Sequence, residues 1–119
     1  MEKTIKISGL DCTFRTSAAI PRIYRIKFKR DIFADMSKLE REIKRNKNNK
    51  AHKSEIPFEA LEIFENIAFI MHRHGDPSQP KDIVEWLDQF ETFDIYEVFP
   101  EIFEMWVKEN QHMSTPKKK

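Results

Sequence analysis

Apolar and polar residues alternate at the start of the chain and then change rhythm. Ile5 and Ile7, then Cys12 and Phe14, alternate with Lys6, Asp11, Thr13 and Arg15, which predicts two half-buried strands joined by a turn at Ser8-Gly9-Leu10. From Thr16 onward the spacing is helical. At about 100° per residue, Ile20, Ile23, Tyr24 and Phe28 fall within an arc of about 140°, and Arg15, Arg22, Arg25 and Lys29 within about 80° on another side. One predicted helix therefore carries both a core stripe and a cationic stripe.

Asp31 is placed to cap a second helix, in which Ile32, Met36, Leu39 and Ile43 form a single apolar stripe. Asparagines then interrupt the lysines, and residues 46–55 read as a flexible basic linker. Pro57 suits a first helical turn, with Ser54 or Glu55 as cap. Behind it run two adjacent stripes, Phe58, Leu61, Phe64, Ala68 and Met71 beside Ala60, Ile63, Ile67 and Ile70, as expected of a central helix covered on two sides. Arg73, His74 and Gly75 should end this helix, the glycine supplying a left-handed cap.

After a turn at Asp76-Pro77-Ser78-Gln79-Pro80, Ile83, Trp86, Leu87 and Phe90 predict a short helix that breaks near Glu91-Thr92. A last helix places Ile95, Phe99, Ile102 and Trp106 on one stripe, with Pro100 expected to kink or restart it. Residues 111–119 read as a disordered basic tail. The expectation is one domain over residues 1–110, an α+β fold, predominantly α, with an N-terminal β-hairpin packed on four to five helices.

Composition adds that this core is aromatic and its surface dense with charge. Of 119 residues, 39% are hydrophobic, ten of them Phe, and 34% are charged, while only two are Gly. The single cysteine, Cys12, sits inside an apolar alternation and reads as a small buried hydrophobe. No leader pattern and no apolar run of membrane-spanning length is visible, so a soluble cytoplasmic protein is expected. The net charge of +1 conceals an uneven distribution. Residues 44–53 hold five Lys or Arg and no acid, whereas residues 82–109 hold nine acids and one base, Lys108.

Chemistry is sparse. No serine lies in a nucleophile elbow, the two glycines form no phosphate loop, and His72 and His74 lack a third metal ligand nearby, so their expected role is capping a helix end. The acids of residues 82–109 read as a solvated surface, not a catalytic pair. Within them Asp82, Glu85, Asp88, Glu91, Asp94 and Glu97 recur every third residue among Trp86, Phe90, Phe93, Tyr96 and Phe99. In the sharper of two readings, part of that aromatic surface is left over to bind another chain. In the blander one, two amphipathic helices turn acidic sides outward.

The hairpin, the block TFRTSAAIPRIYRIKFKRDIFADM, the lysine-rich linker, the helix FEALEIFENIAFIMHRHGDP and the aromatic, acidic C-terminal helix arrive in an order that resembles the tail assembly chaperones of long-tailed bacteriophages and prophages. The most specific residues are Arg15, Thr16, Pro21, Arg22, Tyr24, Phe28, Arg30, Asp31 and Phe33. The resemblance implies a factor without cofactor, metal or catalysis that binds the tape-measure protein in the host cytoplasm. Such a factor assists polymerisation of the tail-tube protein and is absent from the mature virion. It also implies a longer frameshifted form, for which the adenine-rich codons of Lys117, Lys118 and Lys119 would be a slippery site.

The expected contact residues are Arg22, Arg25 and Lys29 on the polar side and Trp86, Phe90, Phe93, Phe99 and Trp106 on the apolar side, with Tyr24, Phe28 and Phe33 in the core. Basic and acidic ends would let copies associate head to tail, more strongly at low salt. The alternative is a small nucleic-acid-binding regulator using the basic helix and the run from Lys44 to Lys53.

Overall fold

A computed structural model describes residues 1–48 and 56–114. Two strands, β1 (Glu2–Ile7) and β2 (Leu10–Arg15), form an antiparallel hairpin, followed by α1 (Ile20–Phe28), α2 (Ile32–Asn48), α3 (Phe58–Gly75), α4 (Ile83–Leu87) and α5 (Ile95–Ser114). This is the α+β, mainly α architecture that the change of hydrophobic period predicts. Among the described residues no helix is long and apolar enough to cross a membrane.

The hairpin turns in two residues, Ser8 and Gly9, both with positive φ, a geometry matched to the twist of the flanking strands. Ile5 therefore faces Cys12 and Ile7 faces Leu10, so the alternating apolar residues share one side. Ile5, Ile7, Cys12 and Phe14 are buried, whereas Leu10 at the turn stays exposed. On the other side Thr4 pairs with Thr13 and Lys6 with Asp11. Burial pushes the Cys12 thiol up to about 11.

The apolar side of the hairpin rests β2 on α3 and β1 on α5. From Ala60 onward both stripes of α3 are buried except the half-buried Leu61, and Phe69 beside them is buried too, because α1, α2, α4, α5 and the hairpin all pack around the helix. A fully buried side chain of this size contributes about 1.5–3 kcal/mol, which makes α3 the axis of the molecule. Its first residue is an exception: Phe58, expected on the stripe, is 91% exposed, since it precedes the point where neighbours close over the helix.

Gly75 has a role other than the expected left-handed cap. Its φ is not positive, and a Cβ there would lie 2.4 Å from the Thr13 carbonyl oxygen, so glycine lets β2 approach the end of α3. The left-handed cap belongs to Lys29 at the end of α1.

Other boundaries also differ from the pattern. Arg15 closes β2 and does not belong to a helix, because Ser17 turns the chain first: its hydroxyl accepts the Ala19 N–H and its carbonyl the Ile20 N–H. Pro21 then occupies the first turn of α1, where a missing N–H costs nothing. α2 continues to Asn48, three residues into the expected linker, and α5 runs through Pro100 and on to Ser114, into the expected tail. The rest of both segments, with the proposed caps Ser54 and Glu55 and the Lys117–Lys119 run, lies outside the described residues.

Candidate interaction surface

The junction between α1 and α2 is built from charge. α1 ends at Lys29, whose left-handed backbone (φ 60°) costs a non-glycine residue about 1–2 kcal/mol. Its N–H closes the helix on the Arg25 carbonyl at 2.8 Å, and its Nζ donates to the Ile26 carbonyl. The chain can then restart at once, and Asp31 caps α2 by accepting the Phe33 N–H at 2.9 Å, as its position predicts.

The same tight reversal brings Arg30 onto Asp35. Arg30 Nε and Nη2 donate to the two oxygens of this buried carboxylate at 2.7 and 2.8 Å, and the Tyr24 hydroxyl donates to it at 2.7 Å. Burial alone would raise the Asp35 pKa, but these donors outweigh it and hold the carboxyl below its usual range. Tyr24 is pushed upward by burial and by the neighbouring carboxylate. Glu59 of α3 adds an outer layer, 2.9 Å from Lys38 and 3.8 Å from Arg30. Tyr24 and Arg30, singled out by the resemblance, are thus parts of a partly buried anchor between α1 and α2.

Around this anchor α1 presents a cationic crest. Arg22, Arg25 and Lys29 recur three or four residues apart on one helix face, with Ile26 beside Arg25 among them, and all four are exposed, Ile26 at 61%. None of the three cations is ion-paired with an acid among the described residues. From Arg15 to Arg30 the chain holds six cations and no acid. On one flank of the crest a groove of about 450 Å³ is lined by Pro21, Arg25, Lys29, Arg30, Asp31 and Phe33. On the other, a cavity of about 190 Å³ runs between Ile23 and Lys27 of α1 and Phe69, Ile70, Arg73 and His74 of α3.

The aromatic residues expected to make apolar contacts face inward instead. Trp86 is fully buried and Phe90, Phe99 and Trp106 nearly so, while Phe93 is half-buried. The short α4 and the irregular chain after it let Trp86 meet Phe69, Phe90 and Phe93 edge-on at 5.4, 5.2 and 5.4 Å, and Phe93 stacks on Phe64 at 4.8 Å. Trp86 Nε1 also donates to His72 Nδ1 at 2.9 Å, so His72 is a core acceptor stacked on Phe14, not a helix-end cap. Burial depresses its pKa against the opposing pull of Asp76.

Phe33 and Trp106 exchange their expected places. The two rings lie 5.2 Å apart, with Phe33 45% exposed and Trp106 beneath it. The apolar part of the surface is therefore Phe33 and Ile26, neither of which the stripes select. Ile26 had a signal all the same: it is the aliphatic residue within an otherwise cationic stripe.

One nucleophile and base lie close together. Ser17 Oγ is 3.0 Å and Arg15 Nη1 3.2 Å from His74 Nε2. The guanidinium can only donate, so this nitrogen is the acceptor, and Ser17 shares its lone pair while also accepting the Ala19 N–H. Burial and the Arg15 charge keep the His74 pKa low. These contacts staple the β2–α1 turn to the end of α3. Among the described residues no group of three His, Cys, Asp or Glu side chains could hold a metal ion.

Comparisons with protein-family models, with curated proteins and with solved structures find no match.

Proposed function

We propose that this chain is a non-enzymatic tail assembly chaperone of the kind its sequence resembles, holding the tape-measure protein in the host cytoplasm while tail-tube subunits polymerise and leaving before the virion matures. The observation that carries this reading is the α1 crest: three exposed cations around an exposed Ile26, flanked by a groove under Phe33. A client helix with an acidic rim and a narrow apolar stripe is complementary to such a surface. Because most of the attraction is exposed charge, the contact is screened and reversible, as suits a factor that must be released.

The test is binding of purified tape-measure segments, followed by calorimetry and by their solubility on co-expression. Arg22→Gln/Arg25→Gln/Lys29→Gln is expected to weaken binding at least tenfold and leave the client insoluble. Unchanged binding by this folded variant would overturn the assignment of the crest. The rival reading, a nucleic-acid-binding regulator, is favoured by the six cations between Arg15 and Arg30. A steeply salt-dependent shift of DNA or RNA that is lost in the same variant would replace the chaperone reading.

A further inference from the structure

Counter-charges within the chain neutralise some charged surfaces and leave two bare. Along α5, Glu101 lies 2.6 Å and Glu104 2.9 Å from Lys3, Glu104 also meets Lys108, and Glu109 reaches the Met1 amine at 3.3 Å. Upstream the acids have no such partners. Asp82, Glu85, Asp88, Glu91, Asp94 and Glu97 are all exposed, and none is ion-paired among the described residues. Asp82 and Asp94 accept the Glu85 and Tyr96 N–H groups at 3.0 and 2.9 Å, which fixes where this acidic edge begins and where it re-enters helix. Beside Glu85 and Asp88 stands Val84, 69% exposed.

The α1 crest has the same composition with the sign reversed, Ile26 standing among Arg22, Arg25 and Lys29. Each surface repels itself, and each pairs one exposed aliphatic residue with several uncompensated charges. We infer that the α1 crest of one copy docks on the acidic α4 edge of a second copy. Crest on crest would oppose like charges, so crest meets edge, and in the heterologous form of that contact one crest and one edge stay open at the ends. Such a contact repeats into a chain or closes into a ring. Ile26 and Val84 supply the apolar centre, and the charges steer and orient.

The crest is also the surface assigned above to the client, so client and second copy would exclude one another. That exclusion rests on the chaperone reading, whereas the contact between copies does not.

Two variants of the full chain separate the possibilities. Arg22→Gln/Arg25→Gln/Lys29→Gln removes the crest charges, and Glu85→Gln/Asp88→Asn/Glu91→Gln removes those of the edge. All six side chains are exposed, so both variants should keep the parent circular dichroism. By sedimentation equilibrium the unmodified chain should gain mass with concentration at 20 mM salt and lose that gain at 0.5 M. Each variant alone should remain at 14.3 kDa, and an equimolar mixture should form a species of twice that mass and nothing larger, since only one crest and one edge remain. Ile26→Ser, which changes no charge, should weaken association at least threefold. A parent chain that stays monomeric at low salt, variants that associate as well as the parent, or a mixture that does not pair would each overturn the contact. None of these measurements contains client, so their failure leaves the chaperone reading standing.

Discussion

The N-terminal and C-terminal thirds use similar ingredients to opposite ends. Both interleave charge with large apolar side chains. In residues 82–109 the rings turn inward, with Trp86 0% and Phe99 3% exposed, and the acids meet water with Val84 as the exposed aliphatic residue among them. In residues 20–33 the cations share the surface with Ile26 and Phe33. The difference teaches that aromatic density marks where the core is made, whereas a single apolar residue within a charged stripe marks where the surface offers a contact.

The comparison breaks most visibly if the inward rings are removed. Trp86→Ala deletes a fully buried side chain and orphans the His72 acceptor, and should cost about 3–5 kcal/mol in denaturant unfolding. A loss below about 1 kcal/mol would mean that Trp86 is not the hub of the C-terminal packing. Next comes the anchor beneath the crest. Asp35→Asn leaves Arg30 and Tyr24 without their carboxylate and should cost about 2–3 kcal/mol, less than a wholly buried pair because Arg30 is 41% exposed. Gly75→Ala drives a methyl against the Thr13 carbonyl and should cost about 1–3 kcal/mol. A neutral result there would disprove the close approach of β2 to α3.

A smaller effect separates the two buried polar centres by pH. His72 has a lowered folded pKa, so below about pH 6.5, the ordinary histidine value, the unfolded chain takes up protons more readily than the folded one. Its contribution is complete above that pH and is lost as pH falls through the folded pKa. His74, also held low, adds to the decline. Asp35 follows the same sign in a more acidic window, starting below about pH 4. Urea midpoints should therefore drop between pH 7 and 5, and His72→Gln should flatten part of that drop. A midpoint that rises over this interval would contradict a neutral buried imidazole. The smallest effect belongs to the crest, where Ile26→Ser should change stability by no more than about 0.5 kcal/mol. If Ile26→Ser unfolded the chain, Ile26 would belong to the core.

The hairpin and α3 were legible because period two and period 3.6 differ sharply, and because buried stripes need no knowledge of distant residues. The inward turn of Trp86, Phe90 and Phe93 was not. The pattern predicts a break near Glu91-Thr92, but the helix already ends at Leu87, and it is this earlier unwinding that points three rings at one another. Gly75 was visible as a helix terminator, but its reason lies in a strand some sixty residues earlier. The pairing of Arg30 with Asp35 crosses a helix junction at a spacing that helix-surface rules do not cover. In the candidate surface, the cations were legible from spacing alone, while Phe33, off the α2 stripe, lies outside and covers Trp106 of the α5 stripe.

Cys12 gives the molecule a clock. It is the chain's only thiol, buried on the underside of the hairpin, with a pKa raised to about 11. Such a thiol holds far less thiolate near neutral pH than an unhindered cysteine. Alkylation therefore waits for β2 to lift from α3, and its rate counts those openings. Because the reporter is native, one mass spectrum taken over time would show whether occupation of the distant α1 crest slows the breathing of the hairpin.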